Sequence, residues 1–84
     1  LNVQIFPNPA NHAFNLSYQL TESKNISYEL IDVTGRVVYS GEPNVKSIGQ
    51  HQETIQVTGF PLGLYYVKIN VGEDVITQKL IISR

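Results

Sequence analysis

Apolar and polar residues alternate at every second position along much of the chain, the pattern of strands that bury one face of a sheet. The alternation is clearest in residues 13–20, 26–30 and 64–71. Glycine, proline, asparagine and aspartate interrupt it about every 8–12 positions, and no stretch places apolar residues at helical spacing. We therefore predict an all-β domain, an immunoglobulin-like antiparallel β-sandwich of about seven short strands.

The inward-facing residues of these strands define a predicted core. They are large apolar or aromatic side chains that share one parity within each strand: Phe14, Leu16, Tyr18, Tyr28, Leu30, Val67 and Ile69. Proline and glycine interrupt residues 41–49, which predicts a loop, and the polar stretch 50–57 predicts an exposed strand. In the last strand Gln78 has the same parity as Ile76 and Leu80, which predicts a β-bulge or an edge strand with two mixed faces.

Composition restricts the partners of this chain. Its 84 residues provide one domain, residues 1–84, and because methionine is absent and the chain starts at Leu1 we expect it to be excised from a longer polypeptide. A net charge of −1 disfavours nucleic acid and anionic membranes as partners. No apolar run approaches the roughly 18 residues of a membrane helix, so direct membrane insertion is not expected.

Side chains that carry chemistry are few. Cysteine is absent, which excludes disulfides, thiolate zinc sites and cysteine nucleophiles. His12 and His51 have no carboxylates at metal-ligand spacing and are interpreted as solvated surface residues. There is no phosphate-binding loop or nucleophile motif, and so small a sandwich has little room for a pocket of a few hundred Å³. We therefore expect no enzymatic activity, no metal and no cofactor.

Four short motifs follow one another along the chain: a strand that runs into a Pro-Asn-Pro turn, a hairpin closed by Asp and Gly, a Gly-x-Tyr strand start, and a final basic-apolar strand. Their residues are Pro7, Asn8 and Pro9; Asp32 and Gly35; Gly63 and Tyr65; and Lys79, Leu80, Ile81 and Ile82. In this order and spacing they resemble the type A C-terminal sorting domain of the type IX secretion system of Bacteroidetes. The resemblance extends over nearly the whole chain, but residues 40–54 carry no motif of that family.

The resemblance implies a function in protein export. Domains of this family label a cargo protein for passage across the outer membrane, and they are themselves substrates rather than catalysts. The implied partners are the outer-membrane type IX translocon, a sortase-like attachment machinery and a covalently linked N-terminal cargo domain. The implied localisation is the periplasm in transit, followed by the outer membrane, the cell surface or the extracellular space. Cleavage of the domain, followed by release or surface attachment of the cargo, is implied as well.

Physical chemistry suggests a role for each motif. Pro7 and Pro9 fix their φ angles and stiffen the exit from the first strand, which favours a structural turn over a contact site. Gly35 and Gly63 are interpreted as backbone requirements. A final strand at a sheet edge would offer unpaired backbone groups that a receptor could capture by strand addition. Lys79 would then be either a guard against aggregation or a recognition charge.

A second hypothesis belongs to a different functional class. The chain is then an immunoglobulin-like or fibronectin-like adhesion or carbohydrate-binding module of a secreted multidomain protein. A sugar-binding surface would require exposed aromatic side chains on one face, and the candidates are Tyr39, Phe60 and Tyr66.

Overall fold

The computed structural model describes residues 2–84 and consists of two sheets packed as a sandwich. Its strands are β1 (Val3–Phe6), β2 (Ala13–Leu20), β3 (Lys24–Asp32), β4 (Val37–Ser40), β5 (Asn44–Lys46), β6 (Gly49–Gln56), β7 (Gly63–Val71) and β8 (Asp74–Ile82). One sheet has the order β1-β2-β6, and the other has the order β4-β3-β7-β8 with β5 also paired to β3. All these pairs are antiparallel. The predicted all-β sandwich is confirmed.

The structure contains one strand more than the sequence predicts. β5 lies inside the stretch 41–49 that was predicted to be a loop, and it pairs with Lys24–Ile26 at the start of β3. The last residues of the same strand, Glu29–Ile31, pair with β4. β5 is only three residues long, and a period of two cannot be recognised over so short a segment.

The core lies between the two sheets and follows the predicted parity. Its fully buried side chains include Phe14, Leu16, Tyr18, Leu30, Val67, Ile69, Leu80 and Ile82. Tyr28 differs from the prediction because it is only half-buried, at an open side of the sandwich. Removal of these apolar side chains from water is the main force that holds the sheets together.

The last strand is regular. Of the two predicted alternatives, a β-bulge or an edge strand with two mixed faces, the bulge is therefore wrong. β8 pairs with β7 without a register shift from Asp74 to Ile82. Gln78 therefore faces the inside of the sandwich among apolar neighbours, and its Nε2 donates a hydrogen bond of 2.6 Å to the carbonyl oxygen of Val3. This bond satisfies the inward amide and links β8 to β1 of the opposite sheet.

The hairpin between β3 and β4 is organised by Asp32. Its Oδ1 accepts hydrogen bonds from the Thr34 hydroxyl at 2.6 Å, the Thr34 amide at 2.9 Å and the Arg36 amide at 3.1 Å. The Thr34 hydroxyl bond is the main cause that lowers the pKa of Asp32 below its ordinary value. A lowered pKa in the folded state stabilises the fold at neutral pH, and this contribution disappears as the pH falls through the lowered pKa.

The same turn requires a glycine. Gly35 donates its amide to the carbonyl of Asp32 at 3.0 Å and has a φ of 88°. A side chain at this φ is strained, although no atom lies within 4 Å of the position that a Cβ would occupy. The backbone conformation, and not a steric contact, therefore sets the requirement.

The core assignment predicts the outcome of truncating Leu30. Leu30→Ala should lower the free energy of unfolding by roughly 2–5 kcal/mol, because it removes buried methyl groups and leaves a cavity. Leu62→Ala is the control, since Leu62 is 58% exposed, and it should change stability by no more than ~0.5 kcal/mol. Urea denaturation measures both, and equal stability of the two variants would contradict the assignment.

The turn predicts an order of stability for substitutions at Gly35. Gly35→Val should destabilise the domain by at least ~1 kcal/mol, because a β-branched residue is strained at positive φ. Gly35→Asn should cost less, since asparagine tolerates the left-handed region. Thermal denaturation followed by circular dichroism compares the two, and identical melting temperatures would show that the turn has another conformation.

Candidate recognition surface around the last strand

β8 forms one edge of the five-stranded sheet, with β7 on its inner side. Strand parity divides the four residues of the terminal motif into two pairs. Leu80 and Ile82 point into the sandwich and are 0% and 1% exposed, whereas Lys79 and Ile81 lie on the outer face. Of the four side chains of the terminal motif, therefore, only those of Lys79 and Ile81 are available to a partner in the folded domain.

The outer face around Lys79 is mostly apolar. Register places Tyr66 beside Lys79 and Leu64 beside Ile81, and Ile31 lies on the far side of Tyr66. Tyr66 is 37% exposed and Ile81 40% exposed. In the part of the chain that the structure describes, Lys79 has no salt bridge, whereas Lys68 in the adjacent row reaches Glu29 at 3.9 Å. Lys79 is thus an unpaired cation at the border of an apolar surface.

The outer edge of β8 is not free at the terminal motif. The side chain of Asn8 uses both halves of its amide there: Nδ2 donates to the carbonyl of Lys79 at 2.8 Å, and Oδ1 accepts from the amide of Ile81 at 3.0 Å. This is the bonding pattern of a neighbouring strand, supplied by one side chain. The sequence prediction of an unpaired backbone row at these residues is therefore wrong.

Ala10 continues the cover with its own backbone. Its amide donates to the carbonyl of Ile81 at 2.7 Å, and its carbonyl accepts from the amide of Ser83 at 2.9 Å. The two bonds make a parallel bridge between Ala10 and Ile82, and Ala10 is completely buried. We refer to Asn8 and Ala10 with the intervening Pro9 as the edge clip.

The clip leaves the first part of β8 uncovered. Antiparallel ladders direct the backbone groups of alternate residues to opposite sides of a strand. The backbone N–H and C=O groups of Ile81 point outwards to the clip. Because Val75 and Thr77 have the same parity as Ile81, their backbone groups also point outwards. No hydrogen bond among residues 2–84 uses these groups of Val75 and Thr77.

Pro7 and Pro9 flank the asparagine of the clip and are exposed. Their peptide bonds to Phe6 and Asn8 are both cis. Proline has no amide hydrogen, so the turn presents no unused donor at these two positions. The structure thus agrees with the structural turn, which carries a contact to the domain's own last strand.

The third motif lies on the opposite side of β8. Gly63 is opposite Ile82 and Tyr65 is opposite Leu80 in the ladder between β7 and β8. Gly63 has a φ of 139°, and the buried Tyr65 donates its hydroxyl to the carbonyl of Pro61 at 2.6 Å. These residues therefore fix the connection that leads into β7.

The four motifs meet at one end of the sandwich. Asp32 of the second motif is opposite Tyr65 in the ladder between β3 and β7. Across the sheet the order is therefore the second motif, the third motif, the terminal motif and then the edge clip of the first motif. Sequence reasoning identified the four segments separately, and it missed that they form one contiguous region.

Arg84 adds a contact that sequence reasoning also missed. Its Nη2 donates to the carbonyl of Val57 at 2.6 Å and its Nη1 to the carbonyl of Phe60 at 3.2 Å. The guanidinium thereby ties the residues after β8 to the connection between β6 and β7. A single basic residue in a polar tail gives no sequence signal for such a role.

Other candidate chemistry is dispersed. His12 is exposed, but His51 is half-buried and stacks on Tyr18 with 5.5 Å between ring centroids, so its interpretation as a solvated residue is wrong. Within residues 2–84 no group of three His, Cys, Asp or Glu side chains is placed to hold a metal ion. No helix that is long and apolar enough to cross a membrane occurs in the part of the chain that the structure describes.

A surface pocket of about 410 Å³ lies beside the Asp32 hairpin, so the expectation that so small a sandwich has little room for a pocket is wrong. Its lining includes Asp32, Arg36, Phe60 and Tyr65. Oδ1 of Asp32 is already bonded to Thr34 and to the Arg36 amide, and its Oδ2 lies 3.4 Å from the Arg36 guanidinium. The only carboxylate of the lining is therefore occupied by its own hairpin.

The three aromatic candidates for a sugar platform do not share a face. Tyr66 is on the outer face of the five-stranded sheet, whereas Tyr39 is beside Leu30 in the ladder and stacks on Tyr28. Phe60 packs against the core from the connection between β6 and β7. A platform that stacks on the faces of sugar rings requires aromatic side chains next to one another on one surface, and this separation does not provide them.

The edge clip predicts the effect of removing its amide. Asn8→Ala should lower the free energy of unfolding by roughly 1–3 kcal/mol, because two hydrogen bonds to β8 are lost. Asn11→Ala is the control, an exposed asparagine three positions away that should change stability by no more than ~0.5 kcal/mol. Urea denaturation compares the two variants. Equal effects would show that the clip does not stabilise the fold.

Comparison with known proteins gives the same assignment as the four motifs. A search of curated proteins found no match. A family model described as the secretion system C-terminal sorting domain matches residues 4–83. The match covers all four motifs and both sheets. The chain therefore belongs to the family of type IX secretion C-terminal sorting domains.

Proposed function

We propose that residues 1–84 act as one folded sorting signal, and that the outer-membrane translocon reads it at the region where the four motifs meet. Membership of the family supports a role as a C-terminal secretion signal with a linked cargo. The more specific proposal, that the translocon binds the region where the four motifs meet, is supported by the convergence of these motifs on β8. Scattered structural motifs would have no reason to form one contiguous surface.

The outer face of β8 supplies the proposed contact. Lys79 offers a cation without a salt bridge among the described residues, and Ile81 and Tyr66 offer exposed apolar area beside it. Apolar area contributes affinity, and a charge at its border contributes orientation and selectivity. The edge clip keeps this strand in register, so the domain is read as a folded surface and Lys79 acts as a recognition charge.

The remaining steps follow the family. The linked cargo passes the periplasm, crosses the outer membrane, and reaches the cell surface or the medium. A sortase-like machinery then removes the domain and releases the cargo or attaches it to the surface. The domain acts as substrate in these steps, and no catalytic role is proposed for it. The dispersed aromatic residues give no support to the adhesion or carbohydrate-binding alternative.

An export assay tests this proposal. Residues 1–84 are fused behind a reporter with an inner-membrane export signal and expressed in a Bacteroidetes host. Lys79→Glu should reduce the secreted fraction by about tenfold, because it reverses the recognition charge, while stability changes by no more than ~0.5 kcal/mol. Lys46→Glu makes the same charge change on β5, away from β8, and should leave secretion unchanged.

The outcomes separate the two parts of the proposal. If Lys79→Glu is secreted like the parent fusion, Lys79 is an edge guard and the proposed contact is wrong. If the intact fusion remains in the periplasm of a competent host, residues 1–84 are not a sufficient sorting signal. Loss of secretion together with loss of the folded domain would instead assign Lys79 a structural role.

A further inference from the structure

The free edge of β6 differs from the other sheet edges. β1 and β4 are each four residues long, and the clip covers the end of β8. β6 has eight residues and pairs with β2 without a register shift from Gly49 to Gln56. Most of it lies within residues 40–54, which carry no motif of the family.

The backbone of β6 is arranged for strand addition. Val57 donates its amide to the carbonyl of His12, so alternation directs the backbone groups of Gln50, Gln52, Thr54 and Gln56 away from β2. No hydrogen bond among residues 2–84 uses these outward groups. β6 also lacks the lysine, the proline and the bulge that commonly protect an edge.

The one protective feature of β6 is an inward-facing charge. Glu53 is opposite Leu16 in the ladder, so its side chain points towards the interior and is half-buried. Its Oε2 accepts a hydrogen bond of 2.9 Å from the hydroxyl of the buried Tyr18. Among the described residues no Lys, Arg or His forms a salt bridge with Glu53.

Two tyrosines of the opposite sheet, Tyr28 and Tyr39, face the interior of the sandwich. Tyr28 and Tyr39 stack with 6.2 Å between ring centroids, and the Tyr28 ring packs directly on the backbone of Gly41. Burial, and then the charge of Glu53, raises the pKa of Tyr28 to about 12. Both rings lie on the inner face of that sheet, because Tyr39 is the ladder partner of the buried Leu30 and Tyr28 has the same parity as Leu30.

A strand added to β6 would enclose this carboxylate. Burying a charge without a counter-ion is costly, so a neutral strand would bind more weakly than a basic one, and an acidic strand more weakly still. A lysine or arginine on the added strand would lie beside Glu53, within the short distance of a cross-strand pair. Glu53 thus both protects the edge and selects its occupant.

We propose that the free edge of β6 docks an extended segment of a partner protein, and that this segment carries lysine or arginine at the position facing Glu53. Pairing of β6 with β6 of a second copy does not meet this requirement, because the inward residues Gly49, His51, Glu53 and Ile55 include no lysine or arginine. The inference goes beyond the sorting function and does not rest on it, since β6 and β8 lie in different sheets.

Synthetic peptides test the proposal on the intact chain. Each is about seven residues long and alternates threonine with valine, and the central inward position carries lysine, leucine or glutamate. Amide NMR spectra of the labelled domain should shift at residues 50–56 with the lysine peptide. That peptide should bind about tenfold more tightly than the leucine peptide, and the glutamate peptide should bind more weakly still.

Three variants serve as readouts and controls. Glu53→Gln keeps an acceptor for Tyr18 and should weaken binding of the lysine peptide by about tenfold. Glu73→Gln makes the same charge change in the exposed β7–β8 turn and should have no effect. Gln52→Pro removes an outward amide while leaving the ladder to β2 intact, so it should abolish binding by a domain that still folds.

Several results would overturn the proposal. These are equal binding of the three peptides, shifts outside β6, unchanged affinity of Glu53→Gln, or no binding of the lysine peptide at millimolar concentration. Self-association of the free domain through β6, detected by analytical ultracentrifugation and abolished by Gln52→Pro, would assign the edge to a second copy instead.

Discussion

The hydrogen-bond requirement of the last strand is the constraint on which this domain depends. A strand at a sheet edge exposes a row of donors and acceptors that must be satisfied by another chain, by water or by the protein itself. Here Asn8 and Ala10, from the exit of the first strand, satisfy the row between Lys79 and Ser83. Together with the Gln78 bond to Val3, this contact connects the beginning of the chain to its end and closes one side of the sandwich.

This closure explains why distant motifs form one surface. Each motif has a local role: a turn, a hairpin, a connection or a buried strand. The ladders between β3, β7 and β8 then place them side by side, and the clip completes the row. A receptor that binds the outer face at Lys79 and Ile81 therefore contacts a region whose geometry depends on all four motifs. The β6 edge lies in the other sheet and offers a second, chemically different surface.

Much of the fold could be predicted from the sequence, because alternation of apolar residues reports which face of a strand is buried. The parity of residues such as Phe14, Leu30 and Ile69 gave the core directly. β5 was missed because a strand of three residues is too short to show a period of two. Gln78 was misread as a sign of irregularity, since a polar residue at an inward position has a partner that only the folded structure reveals.

The candidate site was less predictable than the fold. The terminal motif was recognised, but the division between buried Leu80 and exposed Lys79 follows from register, and the edge clip joins residues 71 positions apart. A contact between a side chain and a distant backbone leaves no local pattern. The inward orientation of Glu53 at a free sheet edge was likewise not predicted, because it depends on the pairing of β6 with β2.

Amide hydrogen exchange along β8 measures directly whether the edge clip holds the last strand. Val75, Thr77, Ile81 and Ser83 all direct their amides towards the outer edge of this strand, but only Ile81 and Ser83 have partners in the clip. If the clip holds the last strand, the amides of Ile81 and Ser83 are protected from exchange while those of Val75 and Thr77 exchange rapidly. Equally rapid exchange of all four amides would show that the clip does not hold this strand.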